Sequence, residues 1–157
     1  MKYILSSGIG RSKEPLIAFE LALKNAKINK FNLVPVSSIL PADCKRGNID
    51  ELNALPGGEI LFCVLSKHIE KPTKNPFYIS AGIMLAESPK QHGYIVEVEG
   101  AMNSKECFRR LKYCLNEIFR INNRKLPKQR FYKIATTKTS SKLYTCVLSA
   151  VVFYSCD

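Results

Sequence analysis

Only two stretches of this chain repeat apolar residues at helical spacing, and nearly everything around them is extended in character. From Pro15 to about Ala26, Leu16, Phe19, Leu23 and Ala26 recur every three or four residues, with Ala18 and Ala22 beside them. Pro15 suits a first helical turn. From about Ser104 to Ile121 the apolar stripe is Cys107, Phe108, Leu111, Leu115, Ile118 and Phe119, opened by Asn103 with Glu106 three residues on. Seven β-branched and aromatic runs read as strands: Lys2–Ser6, Phe31–Val36, Glu59–Leu65, Phe77–Leu85, Tyr94–Glu99, Phe131–Thr137 and Tyr144–Tyr154. The run Ala81–Leu85 fits a helix equally well. Gly8-Ile9-Gly10 lacks the third glycine of a nucleotide loop and reads as a turn before the first helix. Seven strands and two helices predict an α+β fold, a layered αββα sandwich of mostly antiparallel strands with two main helices on its outer faces. No repeat or long linker divides the chain, so residues 1–157 read as a single domain.

Charge narrows the function classes. The chain has 24 Lys and Arg against 13 Asp and Glu, a net +11, which favours polyanionic partners. Lys105, Arg109, Arg110, Lys112 and Arg120, however, share the second helix with its apolar stripe, which makes them its solvated side. Arg124, Lys125, Lys128 and Arg130 follow in a loop without an RNA- or DNA-binding motif, so nucleic-acid binding is not expected. The six cysteines (Cys44, Cys63, Cys107, Cys114, Cys146 and Cys156) form no C-x-x-C pair, and there are two histidines. No metal site is expected, and buried, inert thiols are the better reading. His68 and His92, isolated in polar surroundings, read as surface or loop residues. No apolar run reaches the ~18 residues of a membrane span, and the first residues read as a strand rather than a signal peptide. The expected location is cytoplasmic.

Three Ser-Ser dipeptides occur, at 6–7, 37–38 and 140–141, and a surface turn is the ordinary reading of each. Ser37-Ser38 differs in context. It ends the extended run Asn32-Leu33-Val34-Pro35-Val36 and precedes Ile39-Leu40-Pro41, so a polar pair stands between two apolar segments. A serine hydroxyl at such a strand end can attack the carbonyl before it, turning the amide into an ester. Loss of its own Cα proton then expels the carboxylate and leaves dehydroalanine, which hydrolyses to a pyruvoyl group. Asn32 could supply an amide to polarise a carbonyl, or could simply begin a strand.

The segment Asn-Leu-Val-Pro-Val-Ser-Ser-Ile-Leu-Pro, Asn32 to Pro41, resembles the processing site of the pyruvoyl-dependent arginine decarboxylases, where Asn-Leu-x-x-x-Ser-Ser-Ile-x-Pro contains the cleaved bond. Ala18-Phe19-Glu20-x-Ala22-Leu23 resembles that family's Ala-Phe-Asp-x-Ala-Leu helix. Gly93 to Gly100 resembles the strand with the catalytic glutamate, and Thr145 to Ala150 the closing strand. The resemblance spans nearly the whole chain. It implies a precursor that cuts itself into residues 1–37 and 38–157. The pyruvoyl cofactor made from Ser38 would take the substrate amine as a Schiff base, and L-arginine would leave as agmatine and CO2. It further implies a homotrimer, paired or not into a hexamer, with active sites between subunits.

The same resemblance assigns Glu20 and Ser37 to the substrate and Glu97 to proton donation. Residues two apart on a strand share a face, which makes Glu97 and Glu99 neighbours, and adjacent like charges raise one pKa. From spacing alone both would be solvated on an edge strand. The resemblance selects Glu97 as the acid and leaves Glu99 solvated. Three departures bear on substrate. Glu20 stands for the family's aspartate, Lys27-Ile28-Asn29 for Gly-Ile-Gly in the loop before Asn32, and Pro35 and Tyr144 for other residues. The longer loop side chains suggest a bulkier, charged approach to the substrate. Decarboxylation of lysine, ornithine or histidine is the enzymatic alternative, and a non-catalytic basic binding or scaffold protein the other.

Overall fold

The computed structural model describes residues 1–88 and 90–155, so Cys156 lies outside it. Its elements are β1 (Lys2–Ser12), α1 (Pro15–Asn25), β2 (Asn32–Pro35), β3 (Ile39–Leu40), β4 (Lys45–Arg46), α2 (Ile49–Ala54), β5 (Ile60–Glu70), β6 (Tyr78–Ala86), β7 (Gly93–Gly100), α3 (Ser104–Ile121), β8 (Phe131–Lys138) and β9 (Tyr144–Tyr154). Strand order is β2-β5-β9-β1-β4 in one sheet and β3-β7-β6-β8 in the other. Pairing is antiparallel except at β1–β4 and β2–β5.

Side-chain alternation sorts the core into layers. Tyr3, Val64, Val151 and Phe153 of the first sheet meet Ile83, Leu85 and Ile95 of the second in the middle layer. The opposite face of the first sheet, with Ile4, Cys63, Leu148 and Ala150, packs under α1. Met84, Tyr94, Val96 and Val98 pack under Cys107, Leu111, Leu115 and Phe119 of α3. The result is the αββα sandwich that the pattern implies. α3 spans the residues expected, and Asn103 Oδ1 caps it by accepting from the Glu106 N–H at 3.0 Å. Its basic side chains face solvent. Ala81–Leu85, ambiguous by pattern, lies in β6. Cys63, Cys107 and Cys146 are buried, and burial pushes their thiols up to about 11.

Two expectations change. Gly8-Ile9-Gly10 is no turn: it lies within β1, which runs unbroken to Ser12. Both glycines lie against the backbone of α1, where an added Cβ would collide with the carbonyl oxygens of Ala22 and Ala18. The helix therefore docks through its small side, Ala18, Ala22 and Ala26, and leaves Leu16 72% exposed. Ser6-Ser7 likewise lies in β1 rather than a turn, with the Ser6 hydroxyl donating to the Ala26 carbonyl.

Lys27 shapes the exit from the same helix. It has φ +60° at the end of α1, where the Lys27 N–H donates to the Lys24 carbonyl at 2.9 Å and the Ile28 N–H to that of Leu23 at 3.1 Å. That is the bonding of a Schellman cap, a position that favours glycine. Lys27 thus ends the helix in the position usual for glycine, and Ile28 is fully buried beneath it.

Gly10→Ala tests the close helix docking. Because backbone oxygen stands in the way, α1 must lift, at a cost of about 1–3 kcal/mol or more. Chemical denaturation should show that loss, whereas Leu16→Ala on the exposed side should change stability by less than about 0.5 kcal/mol.

Candidate active site at the crossing between the sheets

Ser37 and Ser38 lie where the chain leaves one sheet for the other. β2 ends at Pro35, and the Val36 N–H then donates to the Cys63 carbonyl of β5 at 2.9 Å. Two residues on, the Ser38 carbonyl accepts from the Ile95 N–H of β7 at 2.9 Å. Ile39 and Leu40 continue as β3, opposite Tyr94 and Gly93. The Ser37–Ser38 bond is thus held from both sides, with Ser37 exposed and Ser38 half-buried. Ser140-Ser141 behaves as an ordinary turn, the Ser140 hydroxyl accepting from the Lys142 and Leu143 N–H groups at 3.1 Å.

Glu97 reaches the same place from β7. Tyr94, Val96 and Val98 point under α3, so Ile95, Glu97 and Glu99 face the other sheet. The β3–β7 pairing ends at Tyr94, which leaves Glu97 open beside Ser38. The Ser38 hydroxyl donates to Glu97 Oε2 at 2.9 Å, with Oε1 at 3.2 Å. The two residues are 59 positions apart in sequence. Although Glu97 as a whole is exposed, enclosure of its carboxyl raises the pKa above the usual carboxylate value. The Ser38 hydrogen bond opposes that rise, and the negative charge of Glu99 adds to it.

Glu99 does not simply point to water. Its Oε2 lies 3.2 Å from the hydroxyl of Ser66, a fully buried residue of β5 that also donates to the Val98 carbonyl at 3.1 Å. The sequence signal of Ser66 is that of a hydroxyl directly after the apolar run Cys63-Val64-Leu65, which alternation from Val64 turns inward.

The remaining sequence candidates lie elsewhere in the chain. The Asn32 amide donates to the Gly58 carbonyl at 2.7 Å, at the opposite end of β2 from the serine pair. Glu20 is exposed on α1, accepting from Asn29 Nδ2 at 3.2 Å. Its helix covers the face of the first sheet that points away from the second. One chain therefore brings together Ser37, Ser38 and Glu97, but does not bring Glu20 to them. Beside the serine pair, Val34, Val36, Ile39 and Phe62 present exposed apolar surface.

A carboxylate on a serine hydroxyl, beside a peptide bond fixed at both ends, can take the hydroxyl proton as the oxygen attacks. Among known proteins, the family model described as pyruvoyl-dependent arginine decarboxylase matches residues 2–157. The chain is 34% identical to pyruvoyl-dependent arginine decarboxylase 1 of Archaeoglobus fulgidus, over 97% of its own length and 96% of the relative's. Identity is 41% to that organism's pyruvoyl-dependent arginine decarboxylase 2, over 60% of each protein. It is 43% to a probable pyruvoyl-dependent arginine decarboxylase of Chloroherpeton thalassium, over 61% of this chain and 53% of the relative.

Proposed function

We propose that this chain, which belongs to the pyruvoyl-dependent arginine decarboxylase family, cuts itself between Ser37 and Ser38 and converts L-arginine to agmatine and CO2. The reading rests on one contact above all, the Ser38 hydroxyl at 2.9 Å from the Glu97 carboxylate. As that hydroxyl loses its proton to Glu97, Oγ bonds to the Ser37 carbonyl carbon. The C–N bond then breaks with the proton passing to nitrogen, leaving an ester and a free amine. Removal of the Ser38 Cα proton expels the Ser37 carboxylate, and water converts the remaining dehydroalanine into a pyruvoyl group with release of ammonia.

The surroundings suit that group. Ser38 is half-buried and its carbonyl is already anchored by Ile95, so the new chain end would stay in place. Once formed, the group supplies a carbonyl that captures an amine and an electron sink for loss of CO2. Glu97 holds a proton at a pH where an ordinary glutamate has lost it, and returns that proton to the substrate carbon. Intact mass of the purified protein, together with CO2 release from arginine, lysine, ornithine and histidine, tests the whole reading. Two chains and a preference for arginine would uphold it, and a single uncut chain would defeat it.

Recognition of the guanidinium falls to Glu20, acting across subunits. Glu20 lies away from Ser38 in its own chain, so its carboxylate would serve another copy's site. The apolar surface of Val34, Val36, Ile39 and Phe62 beside the serine pair suits burial against a second copy, in keeping with a homotrimer or a hexamer. A carboxylate meets a guanidinium with two parallel hydrogen bonds, which an ammonium cannot match. The net charge of +11 opposes a cationic substrate only within the ~8–10 Å that salt leaves unscreened. Glu20→Gln should therefore raise the KM for arginine about 10- to 100-fold, the loss of a charged hydrogen bond. It should do so without slowing the cut, and should narrow the preference for arginine over lysine. An unchanged KM would remove Glu20 from the pocket.

A further inference from the structure

We propose that the backbone N–H of Ile39 is the donor that polarises the Ser37 carbonyl and receives its charge during self-cleavage. This rests on the reading of Ser37–Ser38 as the cut bond. The Ile39 N–H donates to the Ser37 oxygen at 2.7 Å, closing a three-residue turn with Ser38 at its centre. Ser38 is not among the residues of positive φ, so this is the common inverse γ-turn rather than the strained form. The turn is fixed by the Val36 bond to Cys63 on one side and the Ser38 bond to Ile95 on the other.

The chemistry needs a donor at that oxygen. When Ser38 Oγ adds to the Ser37 carbonyl carbon, the C=O π electrons move onto oxygen. A donor already aimed there stabilises the charge without reorganising. The sequence pointed to the Asn32 amide for this task, but that amide is bonded to the Gly58 carbonyl at 2.7 Å. Ile39 is in place instead, and its side chain is incidental. What position 39 requires is an N–H, which every residue but proline supplies. The same three residues thus carry the nucleophile, the carbonyl under attack and the group that stabilises it, with Glu97 added from β7 to take the proton.

The decisive variant replaces the Ile39 amide by an ester, using the α-hydroxy acid analogue of isoleucine. Cys44 offers a native ligation junction, so a synthetic 1–43 segment can be joined to 44–157. The ligated full chain is refolded beside an all-amide control, and the conversion of one chain into two is followed by mass. Loss of one oxyanion donor should slow the cut about 10²–10³-fold. Ile39→Pro, which also lacks the N–H, should be slowed at least as much. An ester chain that cuts as fast as the control overturns the assignment while leaving self-cleavage intact. So does an Asn32→Ala chain slowed as much as the ester. A control chain that never cuts instead overturns the self-cleavage reading, and Ile39 falls with it.

Discussion

Ser38→Ala should purify as one full-length chain under conditions in which the parent separates completely into residues 1–37 and 38–157. The alanine has no oxygen to attack the Ser37 carbonyl, and no neighbouring group replaces it. Ser37 Oγ precedes the bond on the wrong side, and the Glu97 carboxylate is placed on the Ser38 hydroxyl rather than on the carbonyl. Folding should survive, since Ser38 contributes its carbonyl to β7 and Ile39 and Leu40 pair with that strand through backbone alone. The expected effect is therefore an all-or-none change in covalent structure with nearly unchanged circular dichroism. The longer parental fragment should resist Edman degradation, having a ketone in place of its amine. A Ser38→Ala protein that still splits at 37–38, or a parent whose long fragment begins with a free serine, would remove the pyruvoyl group from this site.

The second large effect is at Glu97. Glutamine preserves size and can accept the Ser38 hydrogen bond, but neither takes nor gives a proton, so turnover of cut Glu97→Gln should fall about 10²–10⁴-fold. Cutting itself should slow as well, and turnover must be referred to the cut fraction. The pH dependence has a defined sign. Donation requires the neutral carboxyl, whose pKa is raised chiefly by enclosure, so turnover falls as pH rises through that value. In Glu97→Gln that alkaline decline should vanish. Stability follows the same linkage. Between the ordinary carboxylate pKa of ~4.3 and the raised value, the native state binds more protons than the unfolded state, so stability drops with rising pH across that window. Glu97→Gln, measured on the uncut Ser38→Ala chain, should lose the drop. Near-normal turnover of fully cut Glu97→Gln would take this residue out of the chemistry.

Much of the architecture could be read from the chain because its longest elements are also the most periodic. β9 and α3 have the predicted ends, the latter marked by Asn103 and a continuous apolar stripe. β3 and β4 have two residues each and α2 six, too short for any period, although Asn48 caps α2 through the Glu51 N–H as Asn103 does α3. α1 misled for a different reason. Leu16 keeps the apolar spacing yet stays exposed, because two glycines of β1 admit the helix so closely that its alanines form the contact. In the candidate site, resemblance named Ser38 and Glu97 and alternation set the face of Glu97, but neither brought the two together. Their meeting depends on β3 placing Ile39 opposite Tyr94, and the shared face of Glu97 and Glu99 resolves into two separate partners, Ser38 and Ser66. The donor on the Ser37 carbonyl was not legible because sequence lists side chains, whereas that donor is the main chain of Ile39, and the Asn32 amide lies on the Gly58 carbonyl.

The short piece that the proposed cut at Ser37–Ser38 would release is no peripheral tail, because it contains β1. Along its whole length β1 is paired with β9, and its other edge begins to pair with β4; both neighbours belong to the long piece. The intact precursor folds with these partners tethered, at an effective concentration in the millimolar range. After such a cut the same native contacts would join two molecules, and unfolding would turn one solute into two. Mass action then enters the stability, so the melting point of cut protein should rise more steeply with protein concentration than that of the Ser38→Ala chain. Dilute refolding from denaturant should succeed for the uncut chain and stall for the cut pair. On the proposed reading folding would come first and scission second, after which the molecule would keep a fold that it could regain only slowly by chance encounter.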